Sequence, residues 1–299
     1  MKNYLGLIFL LFAFTATAQN NRSALLPMPN HIEQVQGKPF SLTGKNITIH
    51  PGQPELKFAA TTLQSILKDR MQVDIPLSGS RQSPIRLIID PQLEGKEHYQ
   101  LKVDQKGMTI SGASAAAVFY GVMTVDQVLL GDVCSSNRKE MTPISIDDAP
   151  RFGYRALMLD PARHFLPIED VKFYIDQMVR YKYNVLQLHL TDDQGWRIEI
   201  KQYPKLATIG GEGCHSDPDT PAQYYTQEQI RDIIAYAKER HIEIIPEIDM
   251  PGHATAANKA YPEYSGGGTE EHPEFTFNVG KEETYTYLTN ILKEIAALF

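Results

Sequence analysis

The stretch NVLQLHLTDDQGWR, residues 184–197, runs from alternating apolar and polar side chains into two adjacent aspartates and the only tryptophan of the chain. Leu186, Leu188 and Leu190 fall on one side of an extended segment and Gln187 and His189 on the other, the period-2 pattern of a β-strand. The leucine side calls for covering helices. The other side then faces a sheet interior, where an unpaired polar group costs about 1–3 kcal/mol. An organised polar site at the end of this strand is therefore expected.

The neighbouring segments repeat one order. YRALMLD (154–160) reads as a strand and PIEDVKFYIDQMVRYK (167–182) as a helix. After the central strand come the helix TQEQIRDIIAYAKER (226–240), the strand HIEIIPEID (241–249) and the helix EETYTYLTNILKEIAALF (282–299). Thr226 and Gln229 have capping-box spacing, and Ile230, Ile233, Ile234 and Ala237 form an apolar stripe. In the last helix the expected stripe is Leu288, Ile291, Leu292, Ile295 and Leu298. This βαβαβα order, with strands apolar on both faces, predicts a parallel sheet covered by helices. Residues 151–299 supply only three strand–helix units, against about 250 residues for a closed eight-unit barrel. The predicted fold class is thus α/β, with the first three units of an incomplete TIM (β/α)8 barrel.

Upstream the pattern changes. LKFAATTLQSILKDRM (56–71) and SAAAVFYGVMTVDQVLL (114–130, capped by Ser114) read as helices, IRLIID (85–90) as a strand, and YQLKVDQKGMTISG (99–112) as a hairpin turning near Gln105–Gly107. Residues 22–148 are expected to form a small α+β domain, ending where Asp148, Pro150 and Gly153 break any element. Lys2, the LGLIFLLFAF run and Ala16-Thr17-Ala18 predict a signal peptide over 1–18, too short to span a bilayer. Export to the periplasm or the exterior follows. Without that segment the chain has 28 basic and 36 acidic side chains, a net charge of −8, which disfavours nucleic acid as a partner. Cys134 and Cys214 are the only cysteines; an oxidising compartment would permit pairing or two free thiols.

Ligands of parallel α/β domains collect at the carboxyl ends of the strands. There the sequence places Asp160 and Arg163 after the first strand, Asp192 and Asp193 after the second, and Glu247, Asp249 and His253 after the third. Carboxylates, an arginine fork and histidines without a phosphate-binding glycine loop suit a polyhydroxylated sugar. The alternative is a metal-dependent barrel hydrolase using His189, Asp192, Glu247, Asp249 and His253, although H-x-H and H-E-x-x-H patterns are absent. Trp196 suits a core position or a sugar platform equally, and Asp193 a loop or local cap.

Three motifs in register, DPARHFLP (160–167), NVLQLHLTDDQGWR and EIDMPGHATA (247–256), resemble glycoside hydrolase family 20, the β-N-acetylhexosaminidases. The preceding segment, opening LLPMPNHIEQVQG (25–37), looks like that family's non-catalytic domain. The resemblance implies an N-acetylhexosamine-containing glycan as substrate and no cofactor. Arg163 would grip sugar hydroxyls, Asp192 and His253 would tune a general acid, and Glu247 and Asp249 would support them. The family's Asp-Glu pair, in an H-x-G-G-D-E stretch at the end of strand four, does the chemistry, with the substrate's acetamido oxygen as nucleophile. No Asp-Glu dipeptide occurs here, so the pair is expected beyond Phe299. This chain alone is then a non-catalytic product with at most weak sugar binding.

Overall fold

The computed structural model describes residues 25–50, 52–78, 83–131 and 139–299; the expected signal peptide and Cys134 lie outside them. Among the described residues no helix is long and apolar enough to cross a membrane. A seven-stranded mixed sheet runs in the order His31–Gln34, Ile144–Asp148, Tyr99–Asp104, Gly107–Gly112, Ile85–Ile89, Ile47–Ile49 and Leu77–Ser78. Its hairpin turns at Gln105–Lys106, with Asp104 paired to Gly107. Alternation places Tyr99, Leu101 and Val103 inward, where helices Lys57–Met71 and Ala115–Gly131 cover one face. Helix 115–131 is apolar almost all round because it is sandwiched. One side lies on the sheet and the other meets helix Ile168–Arg180.

That second contact begins a polar seam between the two parts of the chain. Lys182, buried, sets its Nζ 2.9 Å from Asp148 and 2.8 Å from the Tyr99 hydroxyl. Arg155 takes Glu97 through both terminal nitrogens at 2.8 and 2.7 Å, and its Nη2 reaches the Tyr120 hydroxyl at 3.0 Å. Each charge buried in this seam meets an opposite one, which offsets much of the cost of taking it out of water.

Beyond the seam, strands Ala156–Leu159, Val185–Asp192 and Glu243–Ile248 pair in parallel, with 185–192 in the centre. Leu186, Leu188 and Leu190 are fully buried. The helices that follow the first two strands, Ile168–Arg180 and Gln227–Glu239, bury Val171, Ile175 and Met178, and Ile230, Ile233 and Ala237. Both halves of the Thr226–Gln229 capping box are formed. A partial barrel sheet behind an α+β layer is what the sequence pattern predicts.

One reading needs correction. In the last helix, Glu282–Ala296, the buried stripe is Thr284, Tyr287, Ile291 and Ile295, and Leu292 is 42% exposed. Tyr287 stacks on Tyr264 at 4.1 Å and meets Tyr203 edge-on at 4.7 Å. These aromatic contacts rotate the helix toward Tyr287 and carry Leu292 out of the interface. Two short helices that the sequence did not signal, Lys205–Thr208 and Thr255–Ala260, lie in the loops after the second and third strands.

Candidate active site

The first strand stops at Leu159 and the chain turns on Asp160, whose Oδ1 accepts the Arg163 N–H at 3.0 Å. Its Oδ2 accepts from Arg163 Nη1 at 2.7 Å. A turn of this kind folds the arginine back over the strand ends. There Arg163 Nη2 meets Asp192 Oδ2 at 2.6 Å. The guanidinium is held by two carboxylates yet remains 38% exposed.

Asp192 ends the central strand and is buried. Besides Arg163 it meets His189 Nε2 at 2.8 Å and His253 Nδ1 at 3.0 Å, and accepts the Asp193 N–H at 2.6 Å. Burial alone would raise its proton affinity. The hydrogen bonds from His189 and the Asp193 amide, with the charges of His253 and Arg163, overcome burial and hold the carboxyl at about 2. His253 has a left-handed backbone, φ +53°, a conformation that costs a non-glycine residue about 1–3 kcal/mol. Its ring is braced edge-on by Phe275 at 5.0 Å.

On the far side, His189 Nδ1 lies 3.2 Å from Glu247 Oε2, which also accepts from Gln187 Nε2 at 2.5 Å. The imidazole thus sits between two carboxylates. The hydrogen bond to Asp192, opposed by burial and helped by Glu247, pushes it up to about 9. Asp249 hangs from Thr191 Oγ1 through its N–H at 2.9 Å. Burial first, then the negative charges of Glu247 and Asp192, raise its carboxyl above the usual range. Of the inward-facing polar pair anticipated from the alternation, Gln187 donates to Glu247 and His189 Nε2 meets Asp192, while His189 Nδ1 lies beside Glu247 without a hydrogen bond.

The signs of these shifts fix a pH dependence of stability. His189, raised above 6.5, contributes fully below that value, and the contribution is lost as pH rises through about 9. Asp192, lowered from 3.8, contributes fully above 3.8, and that contribution is lost as pH falls through about 2. The cluster is expected to stabilise most between about pH 4 and 6.5. Comparing melting temperatures of the wild type and Asp192→Asn across pH 4 to 10 checks this. Their gap should narrow as pH rises from about 6.5 to about 9, and a constant gap would contradict it.

Of the expected site residues, Arg163 and His253 each contact Asp192 directly. Glu247 reaches them through His189. Asp249 lies beside Glu247, with ligand-capable atoms of His189, Glu247 and Asp249 all within 4.8 Å. Asp193 lies in the turn after the central strand, as expected of a loop residue, but its partners are distant rather than local. Its Oδ1 accepts the N–H and hydroxyl of Thr255 at 3.2 and 2.6 Å, securing the start of helix 255–260 in the next loop. Trp196 is core, 2% exposed with its indole N–H donated to Ile198, and so cannot be a sugar platform.

Residues 152–299 match the model of the glycosyl hydrolase family 20 catalytic domain and residues 22–149 that of the family's domain 2. The chain belongs to glycosyl hydrolase family 20. It is 40% identical over 290 residues to a β-hexosaminidase of Porphyromonas gingivalis and 39% identical over 294 residues to one of Vibrio furnissii. Each alignment covers 92% of this chain, but only 37% and 47% of those relatives. Among solved structures it matches the Vibrio harveyi exo-β-N-acetylglucosaminidase in complex with N-acetylglucosamine, with a TM-score of 0.81 and 34% identity, over 93% of this chain and 45% of that one. A second match is the Streptomyces plicatus N-acetyl-β-hexosaminidase, with a TM-score of 0.80 and 32% identity, over 93% and 57%.

Within this family 20 chain the strand-end groups form two layers. Asp192 and His189 lie behind, 1% and 6% exposed in their side chains, while Arg163, Glu247 and His253 face outward at 38%, 32% and 47%. An outer layer of mixed donors and acceptors can meet several hydroxyls at once. The inner layer fixes its geometry. Asp192, Asp193 and His253 also bring ligand-capable atoms within 4.8 Å. However, Asp192 already holds the Arg163 cation and His189 Nε2, while His189 Nδ1, 3.2 Å from Glu247 Oε2, makes no hydrogen bond. Arg197, wholly buried beside this cluster, was not singled out by the sequence reading.

Proposed function

We propose that this chain builds the sugar-gripping side of an exported β-N-acetylhexosaminidase that releases terminal N-acetylglucosamine or N-acetylgalactosamine from the non-reducing ends of glycans. The observation that carries this reading is the half-exposed Arg163 fork locked between Asp160 and Asp192 at the strand ends of a family 20 chain. A planar fork with free N–H groups grips vicinal hydroxyls in a way that a lysine ammonium does not.

In this reading the acetamido oxygen of the bound sugar attacks the anomeric carbon. The C1–O bond to the leaving group breaks, and a carboxylic acid gives that oxygen its proton. The oxazolinium ring is then opened by water, which bonds to C1 and returns a proton to the same carboxylate, with net retention. Asp192 and His253 set the field in which that acid works. The acid and the aspartate that steadies the acetamido group are not assigned to these 299 residues, which contain no Asp-Glu dipeptide.

The test is hydrolysis of a chromogenic N-acetylglucosaminide by the longest natural form of the protein and by residues 19–299 alone, each with and without chelator. Chelator-insensitive turnover is expected from the first and none from the second. Turnover by residues 19–299 would place the acid inside them, and loss of activity to chelator would favour a metal hydrolase.

A further inference from the structure

Arg197 is 0% exposed, and its guanidinium meets only backbone carbonyls. Nε donates to Pro161 at 3.0 Å and Ala162 at 3.2 Å. Nη1 donates to Gly211 at 2.5 Å and Gln223 at 3.0 Å. Nη2 donates to Ala162 at 3.0 Å, Gly213 at 2.7 Å and Gln194 at 3.4 Å. All three guanidinium nitrogens are engaged, with no carboxylate among these partners. Burying a cation against dipoles alone is a costly way to secure stability, since an apolar side chain of similar volume would serve as well or better. What the arginine adds is geometry. Its planar fork fixes several loops at once in defined relative positions.

One of those loops carries Arg163. Ala162 is tied through its carbonyl to Arg197 and through its N–H to His189 O at 3.1 Å. The Arg163 carbonyl then accepts the His215 N–H at 2.8 Å, from the loop that Arg197 holds at Gly211 and Gly213. The backbone of Arg163 is thus pinned on both sides by segments that Arg197 joins. Gly195 leaves room for this arrangement, because a Cβ there would lie 2.2 Å from Arg197 Cζ. We infer that Arg197 is a positioning residue for substrate, aiming the Arg163 fork at the sugar by clamping residues 161–163 to the 211–223 loop. The inference rests on Arg163 being the sugar-binding group of the proposed enzyme.

The test compares wild type, Arg197→Lys, Arg163→Ala and the double variant in the longest natural form of the protein, with a chromogenic N-acetylglucosaminide. A lysine brings a single nitrogen in place of three. Arg197→Lys is expected to raise KM at least about tenfold, since displacing a binding group by an ångström costs up to about 100-fold. Simple loss of folded protein would lower apparent kcat and leave KM alone. In the Arg163→Ala background the same change should add less than about twofold, because residues that act through one another are not additive. Unchanged KM in Arg197→Lys, or full additivity with Arg163→Ala, overturns the inference. Should Arg197→Lys fail to fold, Gly195→Ala, which pushes on the same guanidinium, carries the comparison. If the wild type does not hydrolyse the glycoside, the functional reading fails separately. A crystal structure of the variant then decides: an Arg163–Asp192 pair kept at its 2.6 Å separation overturns the positioning role, and a displaced Arg163 upholds it.

Discussion

Arg163→Ala is expected to lower kcat/KM for an N-acetylglucosaminide by about 100- to 1000-fold, the loss of about 3–4 kcal/mol of transition-state binding. The size follows from what is removed. On the proposed reading two charge-assisted hydrogen bonds to sugar hydroxyls disappear, and Asp160 and Asp192 lose their shared cation. Arg163→Lys should recover only part of the loss, because an ammonium cannot bridge both carboxylates and still present a fork outward. The fold should survive both changes, since the side chain is 38% exposed. Steady-state kinetics with thermal melting as a control checks this, and an alanine variant with wild-type kcat/KM would remove Arg163 from the site.

Asp192→Ala should harm both stability and activity. Three cationic or hydrogen-bonding groups, Arg163, His189 and His253, converge on a carboxylate that is 1% exposed. Breaking a buried pair by removing one partner typically costs about 3–5 kcal/mol, because the other charge is left uncompensated. The proton that Asp192 holds on His189 up to about pH 9 should then leave at lower pH, and His253 should lose its orientation. Asp192→Asn keeps the shape without the charge and should fall between the two. Chemical denaturation of the three proteins, with kinetics on each, measures the order. A stable, fully active Asp192→Ala would show that the convergence is incidental.

Much of this was legible in the sequence. The alternation of residues 185–190 fixed the central strand and correctly sent Gln187 and His189 inward, because burial on a strand depends only on the two-residue period. Arg163, Asp192 and His253 could be located because parallel strands bring their carboxyl ends together. Contacts between loops far apart in sequence could not be read. Asp193 serves Thr255, 62 positions away, and no local pattern announces that. Arg197 was hidden for a related reason. By period-2 alternation it should oppose Trp196 and face solvent, yet both are buried. The chain doubles back at Gly195–Trp196 onto Thr191–Asp192, and the 211–223 loop then covers its second face.

The central claim is that Arg163, fixed between Asp160 and Asp192, grips the terminal sugar. The most direct measurement is a crystal structure of the longest natural form of the protein soaked with N-acetylglucosamine. The sugar is expected at the carboxyl ends of the three strands, with hydroxyl oxygens about 2.7–3.1 Å from the Arg163 guanidinium. A sugar bound elsewhere, or bound there without touching Arg163, would contradict the claim.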